Sequence, residues 1–174
     1  MNIKGYRVGI VVLTTAATLL LLIGSSYLAQ MATVQRPLAR VLASRPEISE
    51  FNISSQNGVT LITMQLEDVA NLHSTYWSIY HEAKQVMGGR DLVVKVSDRR
   101  SGDLEAIYHQ LHFYIHEALS TGNFSRMAQA VAELAGNAGI SYRVAVDDQH
   151  VFVQLHAGDS YLYEVVPRVH RGGQ

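Results

Sequence analysis

EISEFNISSQNGVTLITMQLE, residues 47–67, is the stretch whose reading decides the fold. Asn57-Gly58 stands between two runs rich in Ile, Val, Thr and Phe. A two-residue hairpin turn needs positive φ at its central positions, which Asn and Gly accept most readily. The pattern predicts strands at about 48–56 and 59–66, paired as a hairpin. A sheet that starts this way has a face to bury, so the flanking sequence is read for whatever covers it.

Toward the C-terminus, Val69, Leu72, Tyr76, Ile79, Ala83 and Val86 recur at steps of three and four, which is one buried helical stripe. Asp68 is the expected cap, and Gly88-Gly89 the stop. Leu92, Val94 and Val96 alternate as in a strand. Ser101 or Asp103 opens a second helix with Leu104, Tyr108, Leu111, Ile115 and Ala118 inward, and Thr121-Gly122-Asn123 breaks it. A third helix, from about Phe124 to Leu134, turns Met127, Val131 and Leu134 inward. ISYRVAV, HVFVQLHA and YLYEVVP then read as strands separated by Asp147-Asp148 and Gly158-Asp159. The order β-β-α-β-α-α-β-β-β over 48–168 predicts an α+β fold, one compact domain with a mostly antiparallel sheet covered by helices.

Toward the N-terminus, VGIVVLTTAATLLLLIGSSYLA, residues 8–29, carries no charge. On a helix, Tyr6 and Tyr27 would stand about 31 Å apart, close to the thickness of bilayer hydrocarbon. The expectation is a single transmembrane helix over 8–30, with 1–7 as a short tail, 31–47 as a juxtamembrane linker with a short helix, and 169–174 as a C-terminal tail. A cleaved secretory signal is the competing reading, because MNIKGYR is a positive n-region and Gly24 to Ser26 is the nearest cleavage candidate. The apolar run exceeds the usual h-region, which favours an anchor. Lys4 and Arg7 on one side nearly balance Arg36, Arg40 and Arg45 on the other. The short leading tail points to a signal-anchor, with the N-terminus cytoplasmic and the domain outside the cell membrane. The expected partners are the lipid bilayer, other membrane or envelope proteins, and further copies of the chain as a homo-oligomer.

Composition narrows the chemistry. The 174 residues hold 14 Lys and Arg against 15 Asp and Glu, scattered along the chain rather than gathered in a basic stripe, so no nucleic-acid partner is expected. Cysteine is absent, which excludes disulfides, a thiol nucleophile and cysteine-held metal.

Three groups of polar or interface residues remain. Glu105, His109, His112 and His116 fall within roughly a 60° sector of the second helix, a donor set able to take a divalent metal if other ligands join, or to titrate near neutrality. Arg99, Arg100 and Gly102 precede a helix N-terminus, where free N–H groups favour an anion, although Asp98 and Asp103 oppose one. Trp77 and Tyr80, with Thr14 and Thr18 in the apolar segment, are candidate interface residues. No catalytic motif and no cofactor fingerprint is present, so the chain is expected not to be an enzyme. The leading function is a structural or assembly protein acting through protein–protein interaction or self-association at the cell envelope. The alternative is a ligand-, metal- or pH-responsive sensory module using the histidine face.

Overall fold

A computed structural model of the protein describes residues 8–30, 35–56 and 58–168. Among these residues the elements run α1 (Val8–Gln30), α2 (Arg36–Ala43), β1 (Ile48–Gln56), β2 (Val59–Leu66), α3 (Leu72–Val86), β3 (Leu92–Ser97), α4 (Gly102–Thr121), α5 (Phe124–Asn137), β4 (Ser141–Val146), β5 (His150–Ala157) and β6 (Ser160–Pro167). The protein is α+β, with five helices and two three-stranded sheets, β1-β2-β3 and β4-β5-β6, among the described residues.

The hairpin forms with Gln56 opposite Val59. Gly58 sits at φ +82°, the left-handed conformation that makes glycine the natural residue there; Asn57 lies outside the described residues. α3 then crosses over, so that β3 lies parallel to β2, with Thr60 opposite Leu92 and Gln65 opposite Ser97. The second sheet is an antiparallel meander.

The expected single sheet is thus corrected to two. Among the described residues, one isolated bridge, Arg99 to Tyr161, joins the chain just past β3 to β6. Next to it, the Asp98 carboxylate takes the Tyr163 N–H (2.8 Å) in place of a backbone partner, and at the far end of β6 Pro167 has no N–H to offer.

Two cores share β5 as their wall. Val151, Val153 and Leu155 pack with Leu111 and Ile115 of α4 and Met127 and Val131 of α5. Phe152 and its neighbours Tyr161 and Tyr163 face the other way, onto α3, α2 and the inner side of the first sheet. Both faces of β5 are therefore covered, which is why HVFVQLHA is apolar with little alternation.

The chain between β2 and α3 crosses the inner face of the second sheet as a strap. Tyr161 Oη donates to Leu66 O (3.0 Å), Tyr163 Oη donates to Glu67 O (3.2 Å), and Val69 N–H donates to Tyr163 Oη (2.8 Å). Gln154 donates to Val69 O (2.6 Å) and accepts from Leu72 N–H (2.9 Å). Because the strap's backbone groups are spent on the sheet, α3 starts at Leu72 with Asn71 as its cap, later than the Asp68 cap the spacing predicts. At the end of α4, Gly122 closes the helix at φ +77°.

The N-terminal helix requires a correction. Among the described residues no helix is long and apolar enough to cross a membrane. The transmembrane helix expected over 8–30 is therefore not supported, nor are the single-pass and signal-anchor readings, the placement at the cell membrane or envelope, or the cytoplasmic N-terminus with its domain outside. Thr14, Thr15, Thr18 and Ser25 interrupt the apolar run, placing hydroxyls among its leucines. Leu38 and Leu42 of α2, by contrast, are fully buried in the core shared with α3.

Candidate functional site

The two sheets meet along β3 and β6, and the functional candidates gather at this seam. At one end the strands are pinned: Tyr161 N–H donates to Arg99 O (2.9 Å), and Asp98 accepts from Tyr163 N–H. Past the pin lies a cleft of about 430 Å³ lined by Leu92 to Lys95 on one wall and Val165 and Pro167 on the other, with Tyr76, Tyr80 and His150 as its floor. A mostly apolar cleft with a few polar groups is the usual form of a binding site. A smaller hollow of about 270 Å³ continues toward the pin between Val94–Val96 and Tyr163–Val165.

Beside the floor, α3 presents one side chain per turn to the β4–β5 turn. His73, Trp77 and His81 sit four residues apart, so they stack along one face, and with Asp147, Asp148 and Gln149 they line an open groove of about 460 Å³. Asp147 organises the meeting. Its Oδ2 accepts from Trp77 Nε1–H (2.6 Å) and lies 3.1 Å from His73 Nε2. Its Oδ1 accepts from the backbone N–H groups of Gln149 (2.8 Å) and His150 (2.7 Å). Burial alone would raise the Asp147 carboxyl; the hydrogen bonds from His150, Trp77, Gln149 and His73 outweigh it and hold the group below its ordinary value.

His150 rests against Tyr76 (ring centroids 5.3 Å apart) and Trp77 (5.5 Å), and its Nδ1 is buried without a hydrogen-bond partner among the described residues. Burial lowers its pKa, with Asp147 acting in the opposite sense. Burial also raises the Tyr76 phenol to about 12, so that group stays protonated.

These shifts set a pH dependence. The unfolded chain takes up a proton on His150 near its ordinary pKa of about 6.5, whereas the folded chain does so only at lower pH. Stability is therefore expected to fall as pH drops below about 6.5. The lowered Asp147 adds a further loss as pH falls below the ordinary carboxyl range. Urea unfolding of His150→Phe should lose the decline between pH 7 and 5; an unchanged decline would remove His150 as its source.

The predicted anion loop is already occupied by the protein's own groups. Arg100 donates to both Asp98 oxygens at 2.8 Å, lies 4.0 Å from Glu164, and covers the Tyr108 ring. Burial raises the Glu164 carboxyl; Arg100 and Tyr108 pull it back without cancelling the rise. Arg99 pairs with Glu67 (3.5 Å) and stacks on Tyr161. Gly102 is the first residue of α4, whose Leu104 N–H is capped by Ser101 Oγ (3.4 Å).

The four residues of the histidine face lie together on the exposed side of α4. The His112 and His116 rings approach to 4.2 Å between centroids, while Glu105 and His109 stand exposed nearby. Among the described residues no group of three or more His, Cys, Asp or Glu is arranged to hold a metal ion. Trp77 and Tyr80 are half-buried and touch each other edge to face at 5.1 Å, each lining one of the two clefts. Thr18 Oγ1 donates back to Thr14 O (2.8 Å) within α1.

Asp147, His150, Asp98, Glu164 and Gln154 were not among the residues that spacing pointed to. Asp147 stands in a turn and Asp98 in a polar connection, and their partners on other elements lie 65 to 74 positions away. The one local signal was Gln154, a polar residue inside an apolar strand.

No protein-family model, no curated protein and no solved structure matches this chain.

Proposed function

We propose that the protein is an assembly module that self-associates through α1, with the α+β domain carried alongside. The observation behind this reading is the apolar surface of that helix. Val12, Leu13 and Leu19 to Ile23 are 53–73% exposed. At 100° per residue, the five consecutive positions 19–23 point in every direction around the axis. A helix that is apolar all round belongs inside a packed interior, and one neighbouring helix covers a stripe of only roughly 100°. Several neighbours are needed, and further copies of the same helix are the simplest source.

Two of the hydroxyls in this segment do not oppose such packing. Thr18 and Ser25 spend theirs on backbone carbonyls of α1 itself, at 2.8 and 3.0 Å. The module binds rather than catalyses, and the domain's clefts then serve recognition.

Sedimentation velocity of the full chain tests this reading. One discrete species of three or more copies is expected for the wild type, with a shift to monomer in Leu20→Glu/Ile23→Glu. A monomeric wild-type chain would overturn the proposal.

A further inference from the structure

We infer that the open part of the β3–β6 seam is a receptor for an extended segment of another protein, whose backbone pairs with the strand edges and whose apolar residues alternate with acidic ones. This inference rests on the second sheet junction and is independent of α1.

The first support is unspent backbone. β3 is laddered only to β2, and β6 only to β5. Between them, among the described residues, the sole backbone hydrogen bond is Tyr161 N–H to Arg99 O. Hydrogen-bonding direction alternates along a strand. Asp91 O accepts from Thr60 N–H, on the β2 side, so Leu92, Val94 and Val96 turn their N–H and C=O groups to the seam. On β6 the Tyr161 and Tyr163 N–H groups face the seam, and so does that of Val165, two residues on. Exposed edges of this kind are templates for an added strand, and main-chain pairing supplies the affinity in such complexes.

Side-chain chemistry selects the segment. Residues of an inserted strand point alternately to the two faces of the sheet. Those directed inward meet the floor of Tyr76, Tyr80 and His150, which suits an apolar residue. Those directed outward meet Lys95, which is exposed and takes part in no ion pair among the described residues. Glu164, on the same outer side, is already engaged by Tyr108 and Arg100. The unanswered charge is positive, so an acidic residue complements it.

The probe is a blocked hexapeptide of alternating valine and glutamate, added to the full chain and followed by amide hydrogen exchange and NMR shifts. Protection is expected at Leu92, Val94 and Val96 and at Val165. Methylating alternate peptide nitrogens should abolish it. Replacing glutamate by lysine should weaken binding about fivefold, and Lys95→Glu should reverse that preference. Lys95 is exposed, so this variant keeps the fold. Val165→Pro, which removes one donor, should weaken both peptides alike. Protection confined to the free edges of β1 or β4, or absent altogether, would overturn the inference. So would seam protection that grows with chain concentration and no peptide, because it would assign the seam to a second copy. The seam amides and the sedimentation of α1 report separately, so either reading can fail without the other.

Discussion

Replacing Gln154 by leucine is expected to lower the free energy of unfolding by about 3 kcal/mol. Gln154 is 4% exposed, in the middle of the strand that walls both cores. Its amide donates to Val69 O (2.6 Å), accepts from Leu72 N–H (2.9 Å), and lies 2.7 Å from His156 Nε2. Leucine has similar volume, so packing is nearly preserved, while two buried backbone groups of the strap lose their partner. Each costs roughly 1–3 kcal/mol when left unsatisfied. Tyr163→Phe should cost less, about 1–2 kcal/mol, because it also orphans Val69 N–H but leaves Gln154 in place. The double variant should be non-additive, as both side chains hold the same strap. Urea denaturation measures all three; a Gln154→Leu midpoint equal to wild type would show that the strap is not held this way.

Asp98→Ala is expected to cost about 2–3 kcal/mol and to loosen the seam at its pinned end. The Asp98 side chain is 2% exposed and accepts three hydrogen bonds, two from Arg100 and one from Tyr163 N–H. Its removal strands the Tyr163 amide and leaves the Arg100 guanidinium with only the more distant Glu164. The Arg100 side chain is 32% exposed, so water recovers part of that loss, and the figure stays below that of a fully buried pair. Asp98→Asn, which retains an acceptor oxygen, should cost roughly half as much. Hydrogen exchange should locate the effect, with the Tyr163 and Tyr161 amides speeding up before the rest of β6. Unchanged exchange there would mean that the bridge to Arg99 suffices alone.

Local pattern carried most of the element order. Asn57-Gly58 located the hairpin, the stripe through Leu72, Tyr76, Ile79 and Ala83 located α3, and Thr121-Gly122-Asn123 separated α4 from α5. Each of these signals acts over a few residues of chain. What escaped was set by distant contacts. The start of α3 moved because Tyr163 and Gln154, more than 80 positions downstream, claim the strap. Where the two sheets part, Asp98 meets Tyr163 from 65 positions away, and β6 ends on a proline. Periodicity is blind to both.

The candidate site followed the same logic. Histidines with regular spacing on α4 drew attention, yet they stand exposed on one helix. The convergent cluster instead brings His73 and Trp77 of α3 to Asp147 and His150 from the other end of the chain. The apolar run in α1 was legible at once, but a run of that composition states only that it must be covered, not by what.

A single introduced cysteine tests that last point most directly. The chain contains none of its own, so Leu20→Cys is a unique handle on the exposed face of α1. Under mild oxidation at low protein concentration, the account predicts rapid disulfide-linked dimers, because position 20 of one copy lies against α1 of the next. The same cysteine at the exposed Arg143 of β4, away from the helix, should link far more slowly. Equal, slow linkage at both positions would contradict self-association through α1.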